Sequence, residues 1–278
     1  MEHVKTWGRK REMFSFFHYL CLMVSVCSFN GCGLKMKNRR DKAILLCDAD
    51  IICLQETHWD ERCVEDVKKG WRGDVYVSNG GMNARGVAIL VKTGVVENVK
   101  KVEDDKEGRM VGVAFDYMGE MFRLINIYAP NVKKRRKVFF EGLEGKCGGN
   151  SMIVGDFNVW CGRMDVSVGM SFKSDSSRDT LKKVMGENGM CDVWRERNIN
   201  KRVFSRKQVV GGVLKQSRID LLLCKGGIGE MIEGIIYKTV AMSDHTTLGF
   251  RLSVGCKGRG GGGMVLKCHA SERGGIQK

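Results

Sequence analysis

The sequence predicts an α/β domain. Apolar runs of strand length alternate with amphipathic stretches of helical length, and glycine marks the turns between them. Several apolar runs also stop at a polar residue able to bind metal or phosphate, as strands of α/β folds do at their ligand-binding ends. The 278 residues are 43% hydrophobic and 28% charged, which excludes wholesale disorder and a fibrous chain and leaves enough length for one large core. Proline is nearly absent, with Pro130 alone where about 5% is usual, so the 36 glycines carry most turn signals.

The first strand is read at Leu20 to Phe29. It lies in the nearly apolar stretch Met13 to Phe29, behind Arg9-Lys10-Arg11, which imitates a signal peptide or membrane anchor. A spanning helix needs roughly 20 apolar residues, and His18 with several Ser and Cys interrupts this run, so no membrane is expected. Residues 1–19 are therefore expected as a basic arm, 20–254 as the folded domain and 255–278 as a glycine-rich basic tail. In that tail Cys256, Cys268 and His269 lack a fourth ligand at a spacing that suits a metal knuckle.

Lys35 to Cys47 has a charged face and ends in Ala43-Ile44-Leu45-Leu46, the pattern of a helix. Asp50 to Gln55 is a short buried strand with Glu56 at its tip. Strands follow at Asp74 to Ser78, Gly86 to Lys92, Met110 to Tyr117 and Met121 to Tyr128, the last two joined by a Gly119 turn. Lys133 to Glu144 is basic, then apolar, and reads as a helix. Ser151 to Gly155 is a buried strand, Arg178 to Glu187 a helix, and Arg218 to Cys224 and Leu248 to Val254 are strands.

Candidate chemistry gathers at the strand tips. Glu56 follows Ile51-Ile52-Cys53-Leu54-Gln55; Asp156-Phe157-Asn158 follows Met152-Ile153-Val154-Gly155; Arg218-Ile219-Asp220 opens Leu221-Leu222-Leu223; Ser243-Asp244-His245 precedes the last strand. Each has a plain structural reading. Glu56 suits a helix start, Asp156-Phe157-Asn158 an Asx turn, Asp220 an ion pair with Arg218, and Asp244-His245 a cap. Asn30 and Tyr128 are ordinary strand-end residues when taken alone.

The order of these segments resembles the endonuclease/exonuclease/phosphatase superfamily of metal-dependent phosphodiesterases. The resemblance runs from about Val26 to Val254. It rests on Ser28 to Leu34, the specific string Asp50-Ile51-Ile52-Cys53-Leu54-Gln55-Glu56-Thr57-His58, Asn126 to Asn131, Gly155 to Asn158, Arg218-Ile219-Asp220 and Ser243-Asp244-His245. Leu54 to Trp59, Arg85 to Leu90 and Asp192-Val193-Trp194-Arg195 are most similar to the endonuclease domain of non-LTR (LINE-type) retrotransposon polyproteins.

The resemblance implies a four-layered α/β/β/α sandwich of two mixed sheets flanked by helices. It implies a Mg²⁺-dependent DNA endonuclease, with Mn²⁺ an acceptable substitute, that nicks one strand and leaves a 3′-hydroxyl for target-primed reverse transcription. Glu56 and Asn30 would hold the metal, with Asp244 a further ligand. Asp156 would take the proton of the attacking water, Asn158 would position water and phosphate, and Tyr128 would touch phosphate. His245 would bind the scissile phosphate oxygen, held by Asp220. A reverse transcriptase and element RNA are the implied partners in a longer polyprotein. Cys32 stands where relatives carry Asp or Asn, and a thiol is a poor Mg²⁺ ligand. The residue after Ser205 is Arg206 where an aromatic is usual. Abasic-site repair, another phosphatase activity of the superfamily, and a catalytically decayed nucleic-acid-binding remnant are the alternatives.

Charge agrees with a polyanionic partner: 47 Lys and Arg against 32 Asp and Glu leave +15. Lys133, Lys134, Arg135 and Arg136 lie just after Pro130-Asn131, and Lys35, Arg39 and Arg40 just after the Asn30 segment, so both runs are expected to grip DNA. The plain alternative is a solvated helix face, or for Lys133 to Lys137 a nuclear-localisation run. The 12 cysteines form no CxxC pair and sit singly in apolar runs, as expected in a reducing nuclear or cytoplasmic compartment.

Overall fold

A computed structural model describes residues 23–81 and 84–254. In chain order the first half is β1 (Met23–Asn30), α1 (Lys37–Cys47), β2 (Ile51–Gln55), α2 (Glu61–Gly70), β3 (Gly73–Ser78) and β4 (Val87–Lys92). Then come β5 (Glu97–Asp104), β6 (Met110–Tyr117), β7 (Glu120–Tyr128), α3 (Lys133–Glu141) and β8 (Asn150–Asp156). The remainder is α4 (Ser176–Glu187), β9 (Met190–Asp192), α5 (Val193–Arg197), the hairpin β10 (Arg206–Val210) and β11 (Val213–Ser217), β12 (Asp220–Lys225), α6 (Gly226–Gly229), β13 (Ile232–Thr239) and β14 (Thr246–Ser253).

Two six-stranded mixed sheets result. The first has the order β13-β14-β1-β2-β4-β3 and the second β5-β6-β7-β8-β12-β9. Each holds one parallel pair, β1 with β2 and β7 with β8, and antiparallel neighbours elsewhere. Alternation along each strand divides the apolar residues into two faces. Val26, Ile51, Cys53 and Ile89 of the first sheet pack on Val113, Leu124, Val154 and Leu222 of the second. The opposite faces bury Phe29, Ile52 and Leu54 under Ala43 of α1 and Val64 and Val67 of α2, and Ile125, Ile153 and Leu223 under Phe140 of α3 and Leu181 of α4. The architecture is the expected four-layered α/β/β/α sandwich.

A buried polar tie joins the sheets near the site. Asn126 of β7 donates to the carbonyls of Leu54 (2.9 Å) and Ala88 (3.0 Å), and accepts from Gln55 at 2.6 Å. In an apolar interior such bonds have no competing water, so they fix how the two sheets register. Gly155, just before Asp156, has φ 134°, and a Cβ there would meet the Ile127 carbonyl at 2.1 Å. Only glycine lets β8 approach β7 this closely.

Differences from the sequence reading have local causes. Residues 1–22 and 255–278, hence the expected arm, the start of the first strand, the tail and its Cys256, Cys268 and His269, lie outside the described residues. The first helix begins at Lys37 rather than Lys35, whose carbonyl instead accepts from Arg40. The helix read to Glu144 stops at Glu141, before Gly142. The strands β5 and β13 went unread because edge strands bury one face at most; Glu97, Asn98, Lys100 and Lys101 are largely exposed and mask the period-two signal. No helix among the described residues is long and apolar enough to cross a membrane.

Candidate active site

The parallel pairs β1–β2 and β7–β8 end on the same side of the sandwich, and their tips meet. Asn30, at the end of β1, is fully buried and donates from Nδ2 to Glu56 Oε1 (3.0 Å) and to Asp156 Oδ2 (3.0 Å). One carboxamide thus joins the tip of β2 to the tip of β8, across the two sheets. Its Oδ1 accepts the backbone N–H of Cys32 at 3.0 Å, which fixes the amide's orientation. Glu56 follows β2 in a left-handed conformation, φ 51°, and Asn158 does the same after β8 at φ 50°. Positive φ in a glutamate is unusual and is held by bonds around it, here Gly33 N–H to the Glu56 carbonyl at 3.0 Å.

Sheet register places the other half. Asp220 lies directly opposite Asp156 in the β12–β8 ladder. Its carboxylate receives His245 Nδ1 at 2.9 and 3.1 Å, while Nε2 of the same ring stands 3.9 Å from Asp156 Oδ2. Ser243 anchors the histidine loop, donating to the Asn30 carbonyl (2.8 Å) and accepting the His245 N–H (3.1 Å). Asn158 Nδ2 donates to the Ala129 carbonyl at 2.9 Å. Tyr128, at the end of β7, lies opposite Asp156 in the β7–β8 ladder, close enough for the Glu56 charge to act on its hydroxyl, and Arg109 lies over its ring at 5.3 Å.

Electrostatics follow from that crowding. Burial raises the Asp156 carboxyl, and the charge of Asp220 raises it further, to about 7 against the pull of His245, Asn158 N–H and Asn30. Burial alone would lower His245, but the charge of Asp220 and its hydrogen bond, with Asp156 behind it, carry the imidazole up to about 9. The ring is therefore an imidazolium at neutral pH, held between two carboxylates. Burial and the charge of Glu56 push the Tyr128 hydroxyl upward, so it stays protonated.

Asp156, Asp220 and His245 present ligand-type atoms within 4.8 Å of one another. A protonated imidazole whose Nδ1 is committed to Asp220 makes a poor metal ligand, because binding needs the neutral ring. Glu56, partly exposed at the edge of the same cluster, offers hard carboxylate oxygens, the donor class that divalent cations such as Mg²⁺ take, while buried Asn30 turns its Nδ2 to that carboxylate and its Oδ1 to the Cys32 N–H. Asp244 is displaced from that pair: it bonds Arg206 Nε at 3.0 Å and the Cys32 thiol at 2.8 Å. Cys32 thereby faces Asp244, and burial with that bond lifts its thiol to about 12, so it remains protonated.

The structure therefore brings together Asn30, Glu56, Tyr128, Asp156, Asn158, Asp220 and His245, and leaves Asp244 at the rim. The expected DNA grip needs correction at three positions. Arg136 is buried, bonded to Asp175 (2.8 Å), Ser177 (2.8 Å) and the Asn131 carbonyl (2.9 Å). Arg40 is buried between the Lys35 carbonyl and Asp66, and Arg39 ties the Gly31, Gly33 and Met242 carbonyls together. These guanidiniums hold loops and do not face a ligand. Lys133, Lys134 and Arg135 remain exposed, and Lys35 pairs with Asp60 at 3.1 Å.

Two clefts flank the cluster. One of about 670 Å³ opens beside Asn158 and is lined by Trp160, Met170, Val213 and Leu214. The other, of about 600 Å³, opens beside Pro130 and is lined by Arg85, Arg109, Lys134 and Arg135. Arg109 was not singled out in the sequence, and Arg85 only as the start of the Arg85 to Leu90 string, not as a phosphate contact. The only signal for them is position, each flanking a glycine turn.

A family model for the Endonuclease/Exonuclease/phosphatase family matches residues 28–245, from Ser28 beside Asn30 to His245 itself. The chain belongs to that family. Membership makes it a hydrolytic nuclease or phosphodiesterase, and the Endonuclease/Exonuclease/phosphatase sandwich agrees with the solved structures it resembles. It superimposes on the AP endonuclease LMAP from Leishmania major with TM-score 0.69 at 16% identity, covering 83% of this chain and 88% of that one. For the APE2 catalytic domain of Xenopus laevis the values are 0.68 and 19%, covering 84% and 94%. For the endonuclease domain of TRAS1, a telomere-specific non-LTR retrotransposon, they are 0.60 and 20%, covering 82% and 98%. In sequence the chain is 26% identical over 241 residues to the transposon TX1 uncharacterized 149 kDa protein of Xenopus laevis, covering 84% of this chain and 18% of that protein. It thus spans under a fifth of that relative's length.

Proposed function

We propose that the chain is a divalent-metal-dependent DNA endonuclease, Mg²⁺ being the working ion, that nicks one strand and leaves a 3′-hydroxyl. The observation that carries the reading is the gathering of acids at the strand tips: Asp156 and Asp220 flank one imidazolium, and Asn30 joins Asp156 to Glu56. An acid-rich cluster of this kind suits a cation, which the Glu56 carboxylate, oriented by Asn30, is of the right class to hold. When bound, the ion supplies charge neutralisation at the phosphate.

The residues do the rest. Asp156, raised to about 7, accepts the proton of the attacking water. The His245 imidazolium, turned by Asp220, donates Nε2–H to a phosphate oxygen as negative charge grows there. Asn158, fixed by its bond to Ala129, and Tyr128, beside Glu56, orient the phosphate from either side. The clefts continue along the strand. Lys134, Arg135, Arg85 and Arg109 hold backbone phosphates on the Tyr128 side, and the β10–β11 hairpin reads target sequence on the Asn158 side. Similarity to a transposon protein and to a non-LTR retrotransposon endonuclease supports a further part of the proposal: this portion works ahead of a reverse transcriptase that extends the new 3′-hydroxyl on element RNA. We place it in the nucleus or cytoplasm, as its unpaired cysteines suggest.

Supercoiled plasmid incubated with protein and Mg²⁺ tests the reading. Open circles are expected from wild type and none after chelation, nor from Glu56→Ala or His245→Ala. Equal nicking by all of them would refute it. An oligonucleotide duplex with one abasic site, run beside an intact duplex, separates target nicking from repair: strong preference for the abasic strand would favour a repair enzyme. DNA binding without any cleavage in Mg²⁺ or Mn²⁺ would mark a decayed remnant.

A further inference from the structure

We infer that Ser205 is a positioning residue for the Asp220–His245 pair, an inference that rests on the endonuclease reading above. Ser205 is fully buried at the base of the β10–β11 hairpin. Its hydroxyl oxygen accepts two consecutive backbone N–H groups, Ile219 at 2.9 Å and Asp220 at 3.0 Å. Its own N–H donates to the Ser217 carbonyl at 2.9 Å, and its carbonyl accepts the Thr246 N–H at 2.7 Å. One small side chain thus fixes the backbone that carries Asp220, and the main chain of the same residue fixes the one that carries His245. Arg206 continues the arrangement, bridging to His245 through the backbone and to Asp244 through its guanidinium.

The chemistry explains why a hydroxyl stands here. Where β12 begins, Ile219 and Asp220 are buried and both of their N–H groups turn to Ser205. Each needs an acceptor, since a buried N–H left unpaired is destabilising. A serine oxygen has two lone pairs and takes both. Without it, the β12 start can satisfy those groups only by moving, and Asp220 moves with it. His245 Nδ1 is held by both carboxylate oxygens, so a small rotation of Asp220 turns the ring and shifts Nε2.

The test uses three variants of the full chain. Ser205→Cys keeps the volume but is a poor acceptor, Ser205→Ala removes the acceptor, and Ser205→Thr keeps the hydroxyl. For Cys and Ala, kcat for nicking is expected to fall roughly 10- to 100-fold, as misplaced catalytic groups do, with KM unchanged and with activity retained in Thr. Combined with Asp220→Asn, Ser205→Cys is expected to add no further loss, since both act through the same contact. A full additional loss in the Asp220→Asn background, or a rise in KM at constant kcat, would overturn the proposal. A readout apart from activity is the downfield proton resonance of His245 Nδ1–H, assigned by its disappearance in His245→Ala. It is expected in wild type and Ser205→Thr and shifted or lost in Ser205→Cys; an unshifted resonance in Ser205→Cys would also overturn it. A wild type that shows the resonance but does not nick would refute the endonuclease reading alone.

Discussion

Two buried charge clusters lie almost side by side, and they are built to opposite rules. Around Arg218, which is fully buried, the acids are matched. Its guanidinium takes Asp192 at 2.6 and 3.1 Å and Asp165 at 2.8 Å, Arg195 supplies a second cation to Asp165 at 2.6 Å, and Trp194 covers the ring plane at 5.1 Å. Around His245 the acids outnumber the cation, and Asp156 is driven up to about 7 by burial and by Asp220. The first cluster is complete as it stands and serves the fold. On the proposed reading a divalent cation and a phosphate complete the second, and that imbalance, more than burial or motif, points to the place where chemistry is done.

The sharpest way to break the comparison is to remove one group from each cluster. His245→Ala and Glu56→Ala are expected to lower nicking by roughly 10²–10⁴-fold, the range for acid–base and charge-stabilising groups, while thermal unfolding of Glu56→Ala in the absence of metal changes little. Arg218→Met leaves Asp192 without its cation and Asp165 with Arg195 alone, and is expected to cost about 3–5 kcal/mol of stability, read by urea denaturation. If Arg218→Met left stability intact, the two clusters would not differ in kind.

Next in size is the response to the ion. Mg²⁺ at a hundred times its dissociation constant is expected to raise the stability of wild type by about 2.7 kcal/mol and that of Glu56→Gln by much less. A melting-temperature series against Mg²⁺ checks this, and equal shifts in both proteins would remove Glu56 from the ligand set.

The pH dependence separates the clusters further. His245 is raised in the fold from 6.5 to about 9. It therefore contributes stability that is fully present below pH 6.5 and lost as pH rises through about 9. Metal-free wild type should lose melting temperature across that window, and His245→Gln should not. Nicking should rise with pH through about 7 as Asp156 ionises, and metal binding would draw that limb lower.

The smallest effect concerns the surface. Lys134→Ala and Arg135→Ala are each expected to reduce the salt slope of DNA binding by about 0.9 if each meets one phosphate. Arg136→Met should leave the slope alone, since its charge is spent on Asp175 inside the fold.

This contrast also explains what could be read in the sequence. The strand tips were legible because an apolar strand announces its own end: Asp50 to Gln55 must be buried, so Glu56 must emerge from it. The site residues are far apart in sequence yet each carries that same local signature. Arg39, Arg40 and Arg136 were misread for the complementary reason. Their neighbours in sequence include solvated lysines, and only the three-dimensional approach of Asp66 and Asp175 shows that Arg40 and Arg136 face inward, and that of the Gly31 and Met242 carbonyls that partly exposed Arg39 holds loops. Arg218 was expected to pair, if at all, with nearby Asp220; it reaches Asp165 and Asp192, which leaves Asp220 free for His245. Ser205 was read only as the hydroxyl residue before Arg206, with no role of its own, because its work is on the backbones of β12 and β14.

The central claim, that a cation-seeking acid cluster hydrolyses a DNA backbone, is tested most directly at the ends it makes. Duplex exposed to the protein with Mg²⁺ is freed of protein and offered to a DNA polymerase with labelled nucleotide. Wild type should yield internal label from new 3′-hydroxyls, and neither Glu56→Ala nor metal-free wild type should yield any. Label of equal strength in all three, or its absence from wild type under every divalent cation, would contradict the account.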